Sequence, residues 1–175
     1  MNERGEVVAP GTIRFERLLP GPLERTWAFL IEPEKRARWF CGGAIEPRVG
    51  GRFALEFDHR RISDRPEPTP EEYEAMAEGI QFEGRVTAWD PPRRFGYAWI
   101  EEEFGESEVT FDLAPEGDRV RFVVTHRGLG DDELVSAAAG WHAHLDILAD
   151  DLEGKPRRAF WSAHARHEVT YEASL

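Results

Sequence analysis

Between Asp131 and Pro156, six apolar residues (Leu134, Ala138, Trp141, Leu145, Leu148 and Leu152) recur at steps of 4, 3, 4, 3 and 4. At 3.6 residues per turn this spacing places them on one stripe of a helix about five turns long. Asp131 or Asp132 stands where an N-cap is expected. Gly154 and Pro156 stand where such a helix should stop. A helix with a single apolar stripe needs an apolar surface to cover it, and the residues upstream provide one with a different period.

That upstream period is two. In Thr12–Leu19, Ile13, Phe15 and Arg17 share one parity. Phe53, Leu55 and Phe57 do so in Arg52–Asp58. Ala44–Val49 precedes that strand, and Gly50-Gly51 reads as a tight hairpin turn between them. The alternation resumes in Ile80–Trp89 (Ile80, Phe82, Val86, Ala88), Phe95–Ile100 (Phe95, Tyr97, Trp99), Glu106–Leu113 (Val109, Phe111, Leu113) and Arg119–His126 (Val120, Phe122, Val124, His126). Short turns such as Asp90-Pro91-Pro92 and Ala114–Asp118 separate these strands, as in an antiparallel meander. One sheet face and one helix stripe, each needing cover, predict an α+β domain of two layers.

Three segments depart from this program. After Pro20-Gly21-Pro22, the residues Leu23, Trp27 and Leu30 recur at helical spacing over Leu23–Ile31, and a second short helix is expected over Pro33–Trp39. Residues 59–79 hold Pro66, Pro68 and Pro70, read as a loop with a short helix at Pro70–Ala77, and exceed the usual connection length. In the tail, residues 156–175, Phe160, His164, His167 and Tyr171 fall at helical spacing, with a strand over Val169–Glu172 as the alternative. No linker separates two cores, so residues 1–175 are read as a single domain with its core at about 12–155.

Charge and cysteine content limit the partners. Lys+Arg 22 against Asp+Glu 34 gives a net charge of −12. That disfavours broad neutralisation of nucleic-acid phosphates and docking on anionic membranes. A single cysteine, Cys41, forbids an intrachain disulfide and any multi-cysteine metal site. It is read as a small, partly buried side chain. No stretch approaches 18 apolar residues and no apolar leader is visible, so a cytoplasmic domain is expected.

Five segments in order then carry a family resemblance. They are Pro22–Phe40 (PLERTWAFLIEPEKRARWF), Val49–Phe53 (VGGRF), Phe82–Pro92 (FEGRVTAWDPP), Val109–Leu113 with Arg119–Gly128, and Gly140–Leu152 (GWHAHLDILADDL). Together they resemble the START-like (SRPBCC) superfamily, and within it the branch named after the activator of heat-shock-protein ATPase. The resemblance implies a helix-grip fold. A curved antiparallel sheet wraps a long C-terminal helix, with two short helices after the first strand. It also implies an apolar cavity between sheet and helix that binds a small apolar molecule. The insertion 59–79 and the tail 156–175 are additions that could reshape the cavity mouth or form a homodimer contact.

The candidate lining is Trp39, Phe40, Phe53, Leu55, Phe57, Phe82, Tyr97, Trp99, Phe111, Phe122, Val124, His126, Trp141, Leu145 and Leu148. The competing reading of each is plain core packing. His126, on the inward parity, is the one candidate acid–base group. It would serve a cyclase, aromatase or hydrolase in the same cavity, although no paired catalytic group accompanies it. His142 and His144, two apart on a helix, point in opposed directions and are read as surface residues. His164 and His167 could share a face, yet no carboxylate partner is evident, so neither metal nor cofactor is assigned. The acidic run Glu101–Glu103, Glu106 and Glu108 reads as a solvated strand edge. The leading expectation is therefore a ligand-binding protein, not an enzyme. A chaperone-activating interaction protein is the third reading.

Overall fold

The computed structural model describes residues 3–103 and 105–175. Seven strands form one antiparallel sheet: β1 (Glu6–Ala9), β2 (Thr12–Pro20), β3 (Arg52–Phe57), β4 (Ile80–Asp90), β5 (Arg94–Glu101), β6 (Gly105–Glu116) and β7 (Arg119–Arg127). Their spatial order is β1-β2-β7-β6-β5-β4-β3. Helices α1 (Leu23–Ile31) and α2 (Pro33–Arg36) follow β2, and α3 (Leu134–Leu152) and α4 (Phe160–Glu172) close the chain. This is the two-layer α+β arrangement that the order of patterns predicts, and the helix-grip that the resemblance implies. The apolar parity of β2–β7 faces the core, where Ile13, Phe15, Leu19, Phe53, Leu55, Tyr97, Phe111 and Phe122 are all buried. Arg17 shares that parity in β2 and is buried too.

Several local expectations are corrected. Glu6–Ala9, for which no element is expected from sequence, is an exposed edge strand. It reaches β2 through Gly11, whose φ of +61° and 2.5 Å approach of a would-be Cβ to the Leu129 carbonyl admit only glycine. Residues 44–49 form no strand. They meet β3 through the isolated bridge Ile45↔Phe53 and the hydrogen bonds of Ala44 with Ala54 and of Glu46 with Arg52, before the Gly50-Gly51 turn. The N-cap of α3 is Glu133 rather than Asp131 or Asp132, and its carboxylate accepts the Gly130 N–H at 2.6 Å. At the other end Gly154 takes φ +69°, as a glycine beyond a C-cap should. Helix α2 stops at Arg36, short of Trp39.

Arg36 is fully buried and has no carboxylate ion-pair partner among the described residues. It donates to the carbonyls of Leu30 (3.2 Å), Ile31 (3.0 Å), Cys41 (3.0 Å), Gly42 (3.3 Å) and Gly43. Its guanidinium lies 4.7 Å from the Phe53 ring centre. Five carbonyls around one cation tie the loop after α2 to the helices, so the charge is solvated by dipoles instead of water. Cys41, next to it, is 1% exposed rather than partly buried, and burial pushes its thiol up to about 12.

The tail forms the helix that its spacing predicts rather than the alternative strand, and it corrects the placement of two histidines. α4 packs on the outer face of α3, so both sides of α3 are covered, and His142 and His144 are buried instead of lying on the surface. The carboxylates on that outer face, Asp146 and Asp150, are held by Arg158 at 3.0 and 2.7 Å.

Candidate functional site

The sheet does not close on α3 uniformly. At one end Phe53, Phe95, Tyr97, Phe111 and Phe122 interlock as a solid aromatic core, with Phe53–Tyr97 centres 4.9 Å apart and Phe95–Phe111 rings stacked at 6.0 Å. At the other end the sheet splays away and leaves a cavity of about 400 Å³. The ends of β3, β5 and β7 and the start of β4 form one wall, with Phe57, Ile80, Phe82, Trp99, Glu101 and His126. The first half of α3 supplies the opposite wall through Ser136, Ala137, Gly140, Trp141 and His144. Phe40 closes the floor, stacked 4.9 Å from Trp141.

Of the fifteen candidate lining residues, Phe40, Phe57, Phe82, Trp99, His126 and Trp141 border this cavity. Trp39, Phe53, Leu55, Tyr97, Phe111, Phe122, Val124, Leu145 and Leu148 do not, and lie in the solid part of the core. Parity identifies the inward face but not the position along the strand where that face stands clear of the helix. All nine lie toward the solid end.

A third wall comes from the two additions. Tyr73 and Met76 of the insertion and Phe160, Trp161 and His164 of α4 line the cavity together with His59. The two segments hold each other. Tyr73 stacks on Trp161 at 5.0 Å and its hydroxyl donates to Glu168 Oε1 at 3.0 Å. Arg157 grips both Asp64 oxygens, at 2.7 and 3.2 Å, and donates to the carbonyls of Arg38 and Arg61, each at 3.0 Å. The Ser162 N–H donates to Glu67 Oε2 at 2.9 Å. Only the aromatics at helical spacing in the tail could have signalled this wall from sequence.

His126 points inward, as expected, but both of its ring nitrogens are taken. An indole N–H only donates, so Trp141 Nε1 at 3.1 Å makes Nδ1 the acceptor. Burial holds His126 down to about 4, so near neutral pH the ring carries a single proton, on Nε2, and donates it to Ser107 Oγ at 2.8 Å. A serine hydroxyl beside an imidazole has the spacing of a nucleophile and its base, but the tautomer is reversed. A base needs its lone pair on the nitrogen that faces the hydroxyl. The chain Trp141–His126–Ser107 therefore ties α3 to β7 and β6.

Among the described residues, polar atoms of Trp99, His59 and His144 in the cavity remain without a protein partner. The Nε1–H of Trp99 and Nδ1 of His59 are buried and unbonded. In His144, Nδ1–H donates to the Trp39 carbonyl at 2.7 Å, which leaves the Nε2 lone pair open. Burial is the main cause that lowers His59 to about 4 and His144 to about 3. The cavity thus presents neutral imidazoles, with at least one free donor and one free acceptor, on a surface of aromatic rings.

The histidines of α4 separate. His164 faces the cavity, 3.9 Å from Glu168. His167 turns to the far side of α3, where Nε2 meets Asp146 Oδ2 at 2.9 Å and its ring stacks on His142 at 3.6 Å, 7° from parallel. The ligand atoms of His142, Asp146 and His167 lie within 4.8 Å of one another. Stacked rings aim their lone pairs along parallel planes rather than at one point, and Arg158 and Arg17 already face the Asp146 carboxylate. The geometry is that of an ion cluster joining α4 to α3. A further cleft of about 430 Å³, at the β3 edge, is bordered by Glu56, Asp58, Arg61 and Glu78 beside Phe40 and Phe57, and offers few rings.

The family profile described as "Activator of Hsp90 ATPase homolog 1-like protein" matches residues 20–153. The chain belongs to that family. The START-like assignment made from the five segments therefore stands. Relatives of known structure agree with the fold of this activator-like chain. The protein encoded by gene BPP1335 from Bordetella parapertussis is 38% identical over 99% of this chain and 91% of its own, with a TM-score of 0.83. CalU16 from Micromonospora echinospora is 23% identical over 93% of this chain and 86% of its own, with a TM-score of 0.70. DynU16, from the dynemicin biosynthetic locus, is 22% identical over 86% of this chain and 50% of its own, with a TM-score of 0.63. No curated protein matches. Among the described residues, no helix is long and apolar enough to cross a membrane.

Proposed function

We propose that this activator-like protein binds a small, ring-bearing molecule in the cavity between its sheet and α3. One observation carries the reading: a cavity of about 400 Å³ lined mainly by aromatic rings holds unbonded buried polar atoms at Trp99 and His59. Unpaired buried donors and acceptors cost about 1–3 kcal/mol each. A ligand that bonds them recovers that cost and gains the contact area of the rings, which is how apolar sites with a few polar groups achieve selectivity. The DynU16 relative is named for a natural-product locus, which fits a ring-bearing ligand but does not specify one.

The arrangement favours binding over catalysis. His126 is bonded at both nitrogens, Cys41 is a buried thiol outside the cavity wall, and no second acid–base group is paired with either. Titration with the neutral fluorophore N-phenyl-1-naphthylamine tests the proposal. One saturable site per chain is expected. Non-saturating or multiple weak binding would refute it.

A further inference from the structure

The charges around the cavity are one-sided. Its lining includes Glu101, Asp132 and Glu133, and no lysine or arginine. Asp132 is exposed while Glu101 and Glu133 are half-buried, so the carboxylates mark the rim. The start of α3 lies beside them, and a helix N-terminus carries only about half a positive charge. Three full negative charges outweigh it.

An independent feature points the same way. His144 is 6% exposed, borders the cavity, and has its Nε2 lone pair open because Nδ1–H is committed to the Trp39 carbonyl. A neutral imidazole with that tautomer can only accept. Phe57 and Trp99 stack on each other and on His59 and His126, so their faces are covered, and no lysine or arginine lines the cavity to compete with a ligand cation. The carboxyl of Glu101 is held above its ordinary range, chiefly by burial and then by the charges of Glu133 and Glu103. A positive ligand would relieve that repulsion.

We propose that the cavity selects an aromatic molecule bearing a protonated amine, and rejects carboxylates and phosphates. This rests on the cavity being a binding site. The N–H groups of such a ligand satisfy the open acceptor and meet the rim carboxylates, and its rings fill the aromatic interior. An anion would face three carboxylates with no cationic side chain in the lining to receive it.

A matched series on one ring system separates this inference from the one beneath it. Calorimetry at pH 7 would compare 2-naphthylmethylamine, 2-naphthylmethanol and 2-naphthoate, which are cationic, neutral and anionic. The amine is expected to bind about tenfold more tightly than the alcohol, in line with one charge-assisted hydrogen bond, and the naphthoate most weakly. The E101Q/E133Q double variant should shrink the amine-to-alcohol ratio at least threefold. An amine no tighter than the alcohol, a naphthoate as tight as either, or a ratio unmoved in the double variant would overturn the inference. Failure of all three to bind would refute the binding reading itself.

Discussion

Gly140 sits within α3, one turn before His144, and borders the cavity. A Cβ added there meets no atom within 4 Å, so it would project into open space. Glycine inside a helix is about 1 kcal/mol less favourable than alanine. Gly140→Ala should therefore raise the melting temperature by roughly 2–4 °C for a chain of this size. Gly140→Leu keeps most of the helical gain and adds four heavy atoms, about 100 Å³ on the scale of roughly 30 Å³ per water-sized group. Set against a cavity of about 400 Å³, that is about a quarter of the space. The leucine variant should melt no lower than the parent yet bind N-phenyl-1-naphthylamine at least tenfold more weakly, with the alanine variant losing less than threefold. Scanning fluorimetry and fluorescence titration read the two effects separately. A leucine variant that is folded and binds as the parent does would refute the reasoning, as would an alanine variant that melts lower.

Other consequences follow from the buried polar groups. His59, His126 and His142 are held at about 4 and His144 at about 3, chiefly by burial, whereas an unfolded histidine titrates near 6.5. Between those values the unfolded chain binds more protons, so stability is complete above pH 6.5 and falls as pH drops towards 4. For His126 alone the loss is on the order of 3 kcal/mol, so urea midpoints should decline steeply from pH 6.5 to 4.5, and a flat profile would count against buried neutral imidazoles. Arg36→Met removes the five hydrogen bonds that its guanidinium gives to the carbonyls of Leu30, Ile31 and residues 41–43, and should cost about 3 kcal/mol or more in urea unfolding, with a loss under about 1 kcal/mol as the contrary result. Arg157→Ala should cost about 2–3 kcal/mol and expose residues 59–79 to limited proteolysis, because that side chain joins the insertion to the tail. An unchanged cleavage pattern would show that the two segments are held by other contacts.

Much of the fold was legible because β3 and β5–β7 carry an apolar alternation and α3 carries a full stripe, whereas β1 carries neither. Phe53, Leu55 and Phe57, or Leu134 through Leu152, need no tertiary information to be placed on a face. The cavity was legible only in part. Parity places Tyr97 and Trp99 on the same side of β5, yet Tyr97 is fully buried in the solid core and Trp99 faces the cavity two residues later. Sheet curvature makes that distinction, and no local pattern encodes it. His142 and His144 were misplaced for a related reason. Their opposed directions leave one of them bare under a single covering layer, whereas the sheet side takes His144 and α4 covers His142 on the far side of α3. Arg36 gave no signal at all, because its partners are backbone carbonyls, which any sequence supplies.

The central claim is that the cavity beside α3 is a binding site, and the indole N–H groups can report on it one by one. Trp99, Trp141 and Trp161 border the cavity, while Trp27 and Trp89 pair with each other at 5.7 Å outside it. Titration with N-phenyl-1-naphthylamine, followed in ¹H–¹⁵N correlation spectra, should move the Nε1–H resonances of Trp99 and Trp161 saturably and leave those of Trp27 and Trp89 in place. Shifts confined to Trp27 and Trp89, or no saturable shift at Trp99, would contradict the account.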